Sequence, residues 1–471
     1  MRVFRHYLSA SALTLFLFES SVMMVALLAI MQVFAVSDLS GRAETADAQQ
    51  APIVAITLAG ALAVSVIMYS VGLYERWYLR DVRHFLQRLV VCIVICSPIL
   101  IIDFEYTTSP PFKGPAASAL FYVLLLTIVF ACVAGARFAS IMAARFMIAP
   151  HRVLVVGVGK LASEIERLVA TQLDADARIV GFLPMRETEP QVAPSAVLAG
   201  TDSLLETARF LGAREIVVAL DDRRGVPVAP LLEARMEGIT ITSYLSFWER
   251  QTRRVNLAAL EPSWLIYSDG FRIGTLTNRC LKRIFDFGVS LAMLVLTLPV
   301  LLLTALAIRL EGPGPIFYRQ ERVGLNGSTF TIFKFRTMRV DAERNGIPQW
   351  AALRDPRITR IGNFLRLTRI DELPQIFNVL KGEMSFVGPR PERPFFVESL
   401  NRDIPYYSER HRVRPGITGW AQINYPYGAS IEDARGKLSY DLYYIKNFSI
   451  LFDFLILLAT VQAVLWKQGA R

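Results

Sequence analysis

The sequence predicts a membrane protein in three parts: a helical membrane bundle, an open parallel α/β domain, and a second α/β domain with its own membrane hairpin. Three observations carry that prediction. A mean hydropathy of +0.38 with 53% hydrophobic residues is too apolar for one soluble globule, while 20% charged residues is too many for a chain buried wholly in lipid. Apolar stretches near bilayer length cluster before residue 137. From residue 151 short apolar runs alternate with amphipathic stretches, the pattern of strands and helices in an open sheet. The length of 471 residues suits about three domains, with boundaries expected at 1–148, 149–275 and 276–471. Cys92, Cys96, Cys132 and Cys280 form no C-x-x-C pair and three of them sit in apolar runs, so neither a disulfide framework nor a zinc site is indicated and a reducing compartment is expected.

The first part contains apolar stretches at roughly 11–36, 52–73, 89–104 and 117–136. The first follows Arg2, Arg5 and His6 but is too long for a signal-peptide core and lacks a small-residue cleavage site, so it reads as a span. The third is short and contains Pro98, so its limits are soft. The 37–51 loop is acidic (Asp38, Glu44 and Asp47 against Arg42), the 74–88 loop carries Arg76, Arg80, Arg83 and Arg88, and the 105–116 loop has only Lys113. Arg137, Arg145 and Arg152 follow the last span. By the positive-inside rule both ends of a four-helix transmembrane bundle face the cytoplasm, which predicts a multi-pass protein of the bacterial inner membrane.

In the second part, "HRVLVVGVGKLASEIERLVA" reads as strand, glycine turn and helix, and "RIVGFLP", "EIVVAL" and "GITITSY" as further strands of a Rossmann-like sheet. Gly157 and Gly159 with Ala162 match the dinucleotide fingerprint, in which glycines let backbone approach a pyrophosphate. Asp174 and Asp176 are the nearby acids for a ribose, but neither closes a clean second strand. A nucleotide site and a scaffold domain both satisfy this pattern.

The third part opens on an apolar run at about 282–310, led by Lys282-Arg283, closed by Arg309 and holding Pro299 near its middle. Proline removes a backbone donor and bends or breaks a helix. A simple crossing also places the basic remainder of the chain outside, so a re-entrant helix–break–helix is expected rather than a fifth span. The apolar stretch 448–466 contains Asp453, which favours a helix lying in the interface over one crossing it.

Charge separates the three parts. Residues 1–150 carry 10 Lys+Arg against 8 Asp+Glu, residues 151–275 carry 14 against 16, and residues 276–471 carry 27 against 17, so the last part holds the whole net charge of +10. Most of its cations are arginines, whose planar fork suits phosphate. No zinc-finger spacing, RNA-binding aromatic motif or basic heptad helix accompanies them, which sets nucleic acid aside. Segment 311–425 is punctuated by glycine and proline, as loop-built sites are. Its focus is Asp371-Glu372, followed by Leu373-Pro374. Proline is tolerated only in the first turn of a helix, so the pair sits at or just before a helix N-terminus, where an anion is favoured. Acids are also common at ordinary helix starts. Arg366, Arg369, Lys381, Arg390, Arg410, Arg412 and Arg414 surround the pair in sequence and favour its charged form, as an attacking carboxylate requires.

From about 279 to 471 the chain resembles the bacterial sugar transferases, polyprenyl-phosphate phosphoglycosyltransferases of the monotopic class. The matching strings are the basic-led hairpin with Pro299, Gln320 and Arg322 after Gly-Pro-Ile-Phe, Lys334-Phe335-Arg336-Thr337-Met338, Asp371-Glu372-Leu373-Pro374-Gln375, Gly388-Pro389-Arg390-Pro391, Arg414-Pro415-Gly416-Ile417-Thr418-Gly419, and Asp441 in "YDLYYI". The two parts in front look like the long-form members that initiate exopolysaccharide, capsule or O-antigen synthesis. One departure is Leu298 before Pro299, where relatives often have a hydroxyl residue; Thr297 and Thr304 are the nearby hydroxyls.

The resemblance implies attack of Asp371 on the β-phosphate of a UDP-sugar, release of UMP, and transfer of the sugar-phosphate to undecaprenyl phosphate. It implies Glu372 as a magnesium (Mg2+) ligand, and Lys334, Arg336, Arg390, Arg414 and Asp441 as substrate- or phosphate-site residues. Enzymes of this layout suit symmetric homodimers. Two other readings compete. A membrane nucleotide-sugar dehydratase needs a Tyr-x-x-x-Lys pair, and none of the 16 tyrosines has lysine four residues later. A non-catalytic scaffold has no use for an intact Asp371-Glu372.

Overall fold

A computed structural model describes residues 2–3, 6–7, 16–29, 46–73, 82–107, 115–147, 151–171, 177–185, 189–199, 203–222, 224, 226–271, 275–340, 357–426, 428 and 430–466. The loop residues Asp38, Arg42, Glu44, Arg76, Arg80 and Lys113 lie outside these, as do Asp174 and Asp176.

Among the described residues four apolar helices come first: α1 (Phe16–Ala29), α2 (Ala46–Val71), α3 (Val82–Thr107) and α4 (Pro115–Met147). Pro98 lies inside α3 rather than ending it. Met23, Val64, Met68, Cys92, Cys96 and Val129 form their common core. Outside it, Val25, Leu62, Val94 and Ile102 are exposed, an outward face that water does not stabilise. One end of the group is polar. Arg137 forms a buried two-pronged pair with Glu19, 2.7 Å on each prong, and its third nitrogen donates to the Leu73 carbonyl. Arg88 donates to the Val71 and Gly72 carbonyls, satisfying acceptors that the end of α2 leaves open.

The second part is a four-stranded parallel sheet of order β2-β1-β3-β4, from β1 (His151–Val156), β2 (Ala177–Leu183), β3 (Glu215–Val218) and β4 (Thr240–Ser243). Helices α5 (Lys160–Thr171), α6 (Leu204–Phe210), α7 (Val228–Met236) and α8 (Tyr244–Thr252) complete it. Val153 and Val155 enter one core while Leu154 and Val156 enter another, so β1 is covered on both faces, as its unbroken apolar run requires. The turn after β1 needs glycine. Gly157 has φ +122, and a Cβ there would lie 2.3 Å from the Ala219 carbonyl oxygen. Gly157→Ala is therefore expected to destabilise this domain by about 3 kcal/mol through backbone strain and overpacking; an unchanged thermal unfolding midpoint contradicts that account.

After α9 (Pro262–Tyr267), the third part begins with α10 (Leu276–Glu311). Two half-helices were expected here, but helical backbone runs through Pro299 without interruption over 36 residues. The continuous helix is held along one side: Lys282, Asp286, Ser290, Leu301, Thr304 and Ile308 are buried, with Leu294 and Thr297 half-buried between them. That spacing keeps one face toward the protein from end to end. Thr297 Oγ1 donates to the Met293 carbonyl at 2.7 Å, the one-turn-back hydroxyl bond that accompanies helix bending next to a proline. Ile284, Phe287, Leu291, Val295, Leu302 and Leu306 are exposed on the other side. Among the described residues, α10 and α4 through Tyr122–Ala139 are long and apolar enough to cross a membrane.

The rest comprises an antiparallel hairpin of β5 (Phe317–Val323) and β6 (Thr329–Phe335), then α11 (Arg360–Thr368), α12 (Ile376–Lys381), β7 (Ser385–Val387) and α13 (Pro394–Asp403). It ends with β8 (Gly416–Thr418), which pairs in parallel with β7, then α14 (Trp420–Asn424), α15 (Ile431–Lys446) and α16 (Ile450–Leu465). Asp453 of α16 is engaged inside the protein rather than at an interface. Lys282 Nζ lies 2.6 Å from Asp453 and 3.3 Å from Asp286, and donates to the Val387 carbonyl. Tyr444 donates to Asp453, and Ser385 to Asp286, so the cluster that ties α10 and α16 to β7 is internally satisfied.

The parts are joined by buried polar contacts. Lys446 and Asn447 both donate to Glu249 of α8, with the Lys446 ammonium 3.8 Å from the Trp264 ring centre. Trp466, just past α16, donates to the Val71 carbonyl and stacks under Arg88.

Candidate active site

The site is made where α11 stops. Arg369 adopts the left-handed conformation, φ 60, and turns the chain into a 3-10 segment, Ile370–Gln375, that leads directly into α12. Asp371 and Glu372 thus lie just before a helix N-terminus, with Pro374 inside the 3-10 segment. Both are buried, 8% and 9% exposed. Winding at three residues per turn separates successive side chains by about 120°, so the two carboxylates face different surroundings.

Glu372 takes the cations. Lys334 Nζ, from β6, approaches its Oε1 at 3.1 Å; Arg390, from the loop after β7, donates to the same oxygen at 2.7 Å; Arg369 stands 3.9 Å away. Burial opposes the charged form of Glu372, but Arg390 and Lys334 outweigh it and hold the carboxyl well below the usual range. Asp371 goes the other way. Burial, then the neighbouring Glu372 charge, raise it above the usual carboxylate range despite Lys334, Arg390 and Arg366. The expectation that the surrounding cations favour an ionised Asp371 is thus corrected. They converge on Glu372, because β6 and the Arg390 loop meet the 3-10 segment on that side. Asp371 Oδ1 is buried and meets no described donor.

A second layer holds Arg390 in place. Arg410, 5% exposed, donates to the Arg390 carbonyl at 3.0 Å, pairs with Asp441 of α15 at 2.9 Å, and accompanies Tyr407. Asp441 therefore reaches the carboxylate pair only through Arg410 and Arg390. Arg336 caps the end of α10 instead, donating to the Ile308, Gly312 and Pro313 carbonyls. Arg414 donates to the Gly382 carbonyl at the far end of α12. Asn378, which no motif marked, is fully buried and joins β6 to the turn after α12: it accepts from the Phe333 amide and donates to the Thr331 carbonyl and Glu383.

Magnesium is usually held by one or two carboxylates together with substrate phosphates, not by a cage of protein ligands. The residues fit that mode. Asp371 brings an unengaged buried oxygen beside Glu372, although no group of three or more His, Cys, Asp or Glu able to hold a metal occurs among the described residues.

At the glycine fingerprint the anion position is already taken. The Asp221 carboxylate, at the end of β3, accepts from the Lys160 and Leu161 amides at 2.8 and 2.9 Å. A Cβ on Gly159 would lie 1.9 Å from the same carboxylate. Gly157 and Gly159 here accommodate the Ala219 backbone and an internal acid, as a scaffold domain needs. The signal in sequence is an acid at the end of the adjacent strand, "EIVVALDD".

Residues 277–467 match the family model described as bacterial sugar transferase. Over 191 residues the chain is 48% identical to a UDP-N-acetylgalactosamine-undecaprenyl-phosphate N-acetylgalactosaminephosphotransferase of Aeromonas hydrophila, covering 41% of this chain and 45% of that one. It is 45% identical over 186 residues to a UDP-glucose:undecaprenyl-phosphate glucose-1-phosphate transferase of Escherichia coli K12, covering 39% and 40%. It is 44% identical over 196 residues to an exopolysaccharide production protein of Rhizobium leguminosarum, covering 40% of this chain and 96% of that protein. The match thus spans less than half the length of the first two relatives and nearly all of the third.

Proposed function

This chain belongs to the bacterial sugar transferase family, and from that premise we propose that it moves a sugar-1-phosphate from a UDP-sugar to undecaprenyl phosphate. The observation that carries the reading is the meeting of Lys334 and Arg390 at Glu372, beside the buried, unengaged oxygen of Asp371. The activities for which the Aeromonas and Escherichia relatives are named support it.

Asp371 attacks the β-phosphorus of the donor. A bond forms from its carboxylate oxygen to phosphorus, the bridging P–O bond breaks, and UMP leaves with that bridging oxygen. An oxygen of the lipid phosphate then attacks the same phosphorus and breaks the aspartyl bond, which yields the polyprenyl diphosphate sugar and restores Asp371. Lys334 and Arg390 turn from Glu372 to the phosphate oxygens, where preorganised cations stabilise charge that builds in the transition state. Glu372, freed of them, would hold Mg2+ beside Asp371, and the ion would neutralise phosphate oxygens.

The exposed apolar face of α10 supports a helix resting in lipid, entering and leaving on one side. Contacts from both of its ends to one domain agree with that: Lys282 with Val387, and Ile308 with Arg336. The later part of α11, with Phe364 and Leu367 exposed and leading into the carboxylate pair, extends the same apolar surface. The Glu19, Arg88 and Arg137 cluster joins α1 and α3 near their starts, the end of α2, and the later part of α4, which supports an antiparallel transmembrane bundle with both termini in the cytoplasm.

The test is UMP release by the full chain in detergent with magnesium, from a panel of UDP-sugars, with and without undecaprenyl phosphate. Lipid-dependent release from at least one donor is expected, and silence across the panel from folded protein overturns the reading. In the same assay Arg390→Ala is expected to lower kcat by about 10^2–10^3-fold, the loss typical of one charge-stabilising donor. An Arg390→Ala enzyme with unchanged kcat removes this residue from the site.

A further inference from the structure

The cations of the third part fall into two groups. Arg283, Arg322, Arg336 and Arg410 spend donors on carbonyl oxygens, and Lys282, Lys334 and Arg390 on carboxylates. Arg319, Lys381 and Arg414 form the second group: among the described residues no acid lies within ion-pair distance of them, and Arg414 spends one donor on the Gly382 carbonyl. These three line one groove of about 660 Å³, between the β5–β6 hairpin and the end of α12, together with Phe330, Thr331 and Phe333. Glu383, an acid in the same lining, accepts from Asn378 and pairs with none of the three cations.

The groove is built rather than incidental. Phe333 has the Lys381 ammonium 4.7 Å and the Arg319 guanidinium 5.5 Å from its ring centre, which holds both cations at the rim. Arg414 is fixed in the lining by its bond to the Gly382 carbonyl. Side chains alternate along a strand, so Phe333 and Thr331 face the groove while Lys334 faces Glu372. The groove is therefore a separate place from the carboxylate pair. It also sits beside the root of α10: Arg283, at the head of the apolar run, donates to the Val379 and Leu380 carbonyls at 2.5 Å each and flanks Gly382.

From the three unneutralised cations and their position at the root of α10, we propose that this groove is a second phosphate-binding site, which takes the headgroup of an anionic membrane lipid. The lipid source rests on the reading that the exposed face of α10 lies in the bilayer; the phosphate chemistry does not. A phosphodiester offers the acceptor oxygens that Arg and Lys donors need, and surface cations near a membrane attract anionic lipid at about 1 kcal/mol each, about 5-fold in affinity.

The experiment uses the full chain in detergent and native mass spectrometry with short-chain phosphatidylglycerol, short-chain phosphatidylcholine and inorganic phosphate as probes. Phosphatidylglycerol is expected to be retained over phosphatidylcholine. Arg319→Ala and Lys381→Ala are each expected to weaken that retention about 5-fold and together about 25-fold, with thermal unfolding unchanged because both side chains are exposed. The Asp371→Asn protein is expected to bind as the wild type does, which separates this site from the proposed chemistry. Binding of inorganic phosphate that the double variant loses, without preference for the lipid, keeps the site and assigns it to a soluble phosphate. Equal retention of both lipids and of phosphate by the wild type and the double variant overturns the proposal.

Discussion

Asp371→Asn is expected to reduce UMP release by at least about 10^4-fold while leaving the fold intact. Asparagine keeps the shape but cannot form the phosphoryl bond. The carboxyl is also dispensable for folding: Asp371 Oδ1 meets no described donor, and its ionised form is opposed by burial and by Glu372. The thermal midpoint should therefore be unchanged or raised. Single-turnover release of UMP without lipid gives a sharper reading, because attack by Asp371 needs no acceptor. A variant that keeps even a tenth of the wild-type rate assigns the attack to another group, and a variant that is inactive because it is unfolded says nothing for Asp371 until a folded neutral replacement is measured.

Arg410→Met is expected to cost about 3–5 kcal/mol of stability, because it leaves Asp441 buried without its cation. The paired variant Arg410→Met with Asp441→Leu should regain most of that loss, since an apolar pair of similar volume often replaces a buried ion pair without penalty. Activity should not return with it. The Arg390 carbonyl loses its donor in both proteins, so the Arg390 guanidinium is no longer held against Glu372, and a displacement on the order of 1 Å at a catalytic group costs about 10^2-fold. Chemical denaturation and UMP release, measured on the two variants side by side, separate the two roles. Recovery of activity together with stability would reduce Arg410 to a packing role.

The elements of this chain differ in how far neighbouring residues dictate them. The two central strands, β1 and β3, were legible because their residues are almost uninterrupted apolar runs ended by glycine or polar turns, and a strand covered on both faces has no other composition available. The position of Asp371-Glu372 at a helix start was legible because Pro374 restricts the backbone locally. Other features were not. Pro299 reads as a break, but whether a helix continues through a proline depends on what holds its other residues, and Leu301 and Ile308 cluster with Phe335 and Leu365, far along the chain. Seven cations near the carboxylate pair in sequence look equivalent there. Folding sends Arg390 to Glu372, Arg410 to Asp441, and Lys381 and Arg414 to a groove on the other side of the hairpin.

By itself the sequence determined which segments are apolar, which backbone stretches are strands, where glycine and proline constrain the chain, and that the net charge belongs to the last part; each is a property of neighbouring residues. Only the tertiary structure decided that Glu372 rather than Asp371 collects the cations, that Asp221 fills the glycine turn's anion position, and that Lys282 neutralises Asp453 from 171 positions away. The physical reason is common to all three. The energy of a charge depends on burial and on distance to other charges, and neither quantity exists until remote segments have been brought together.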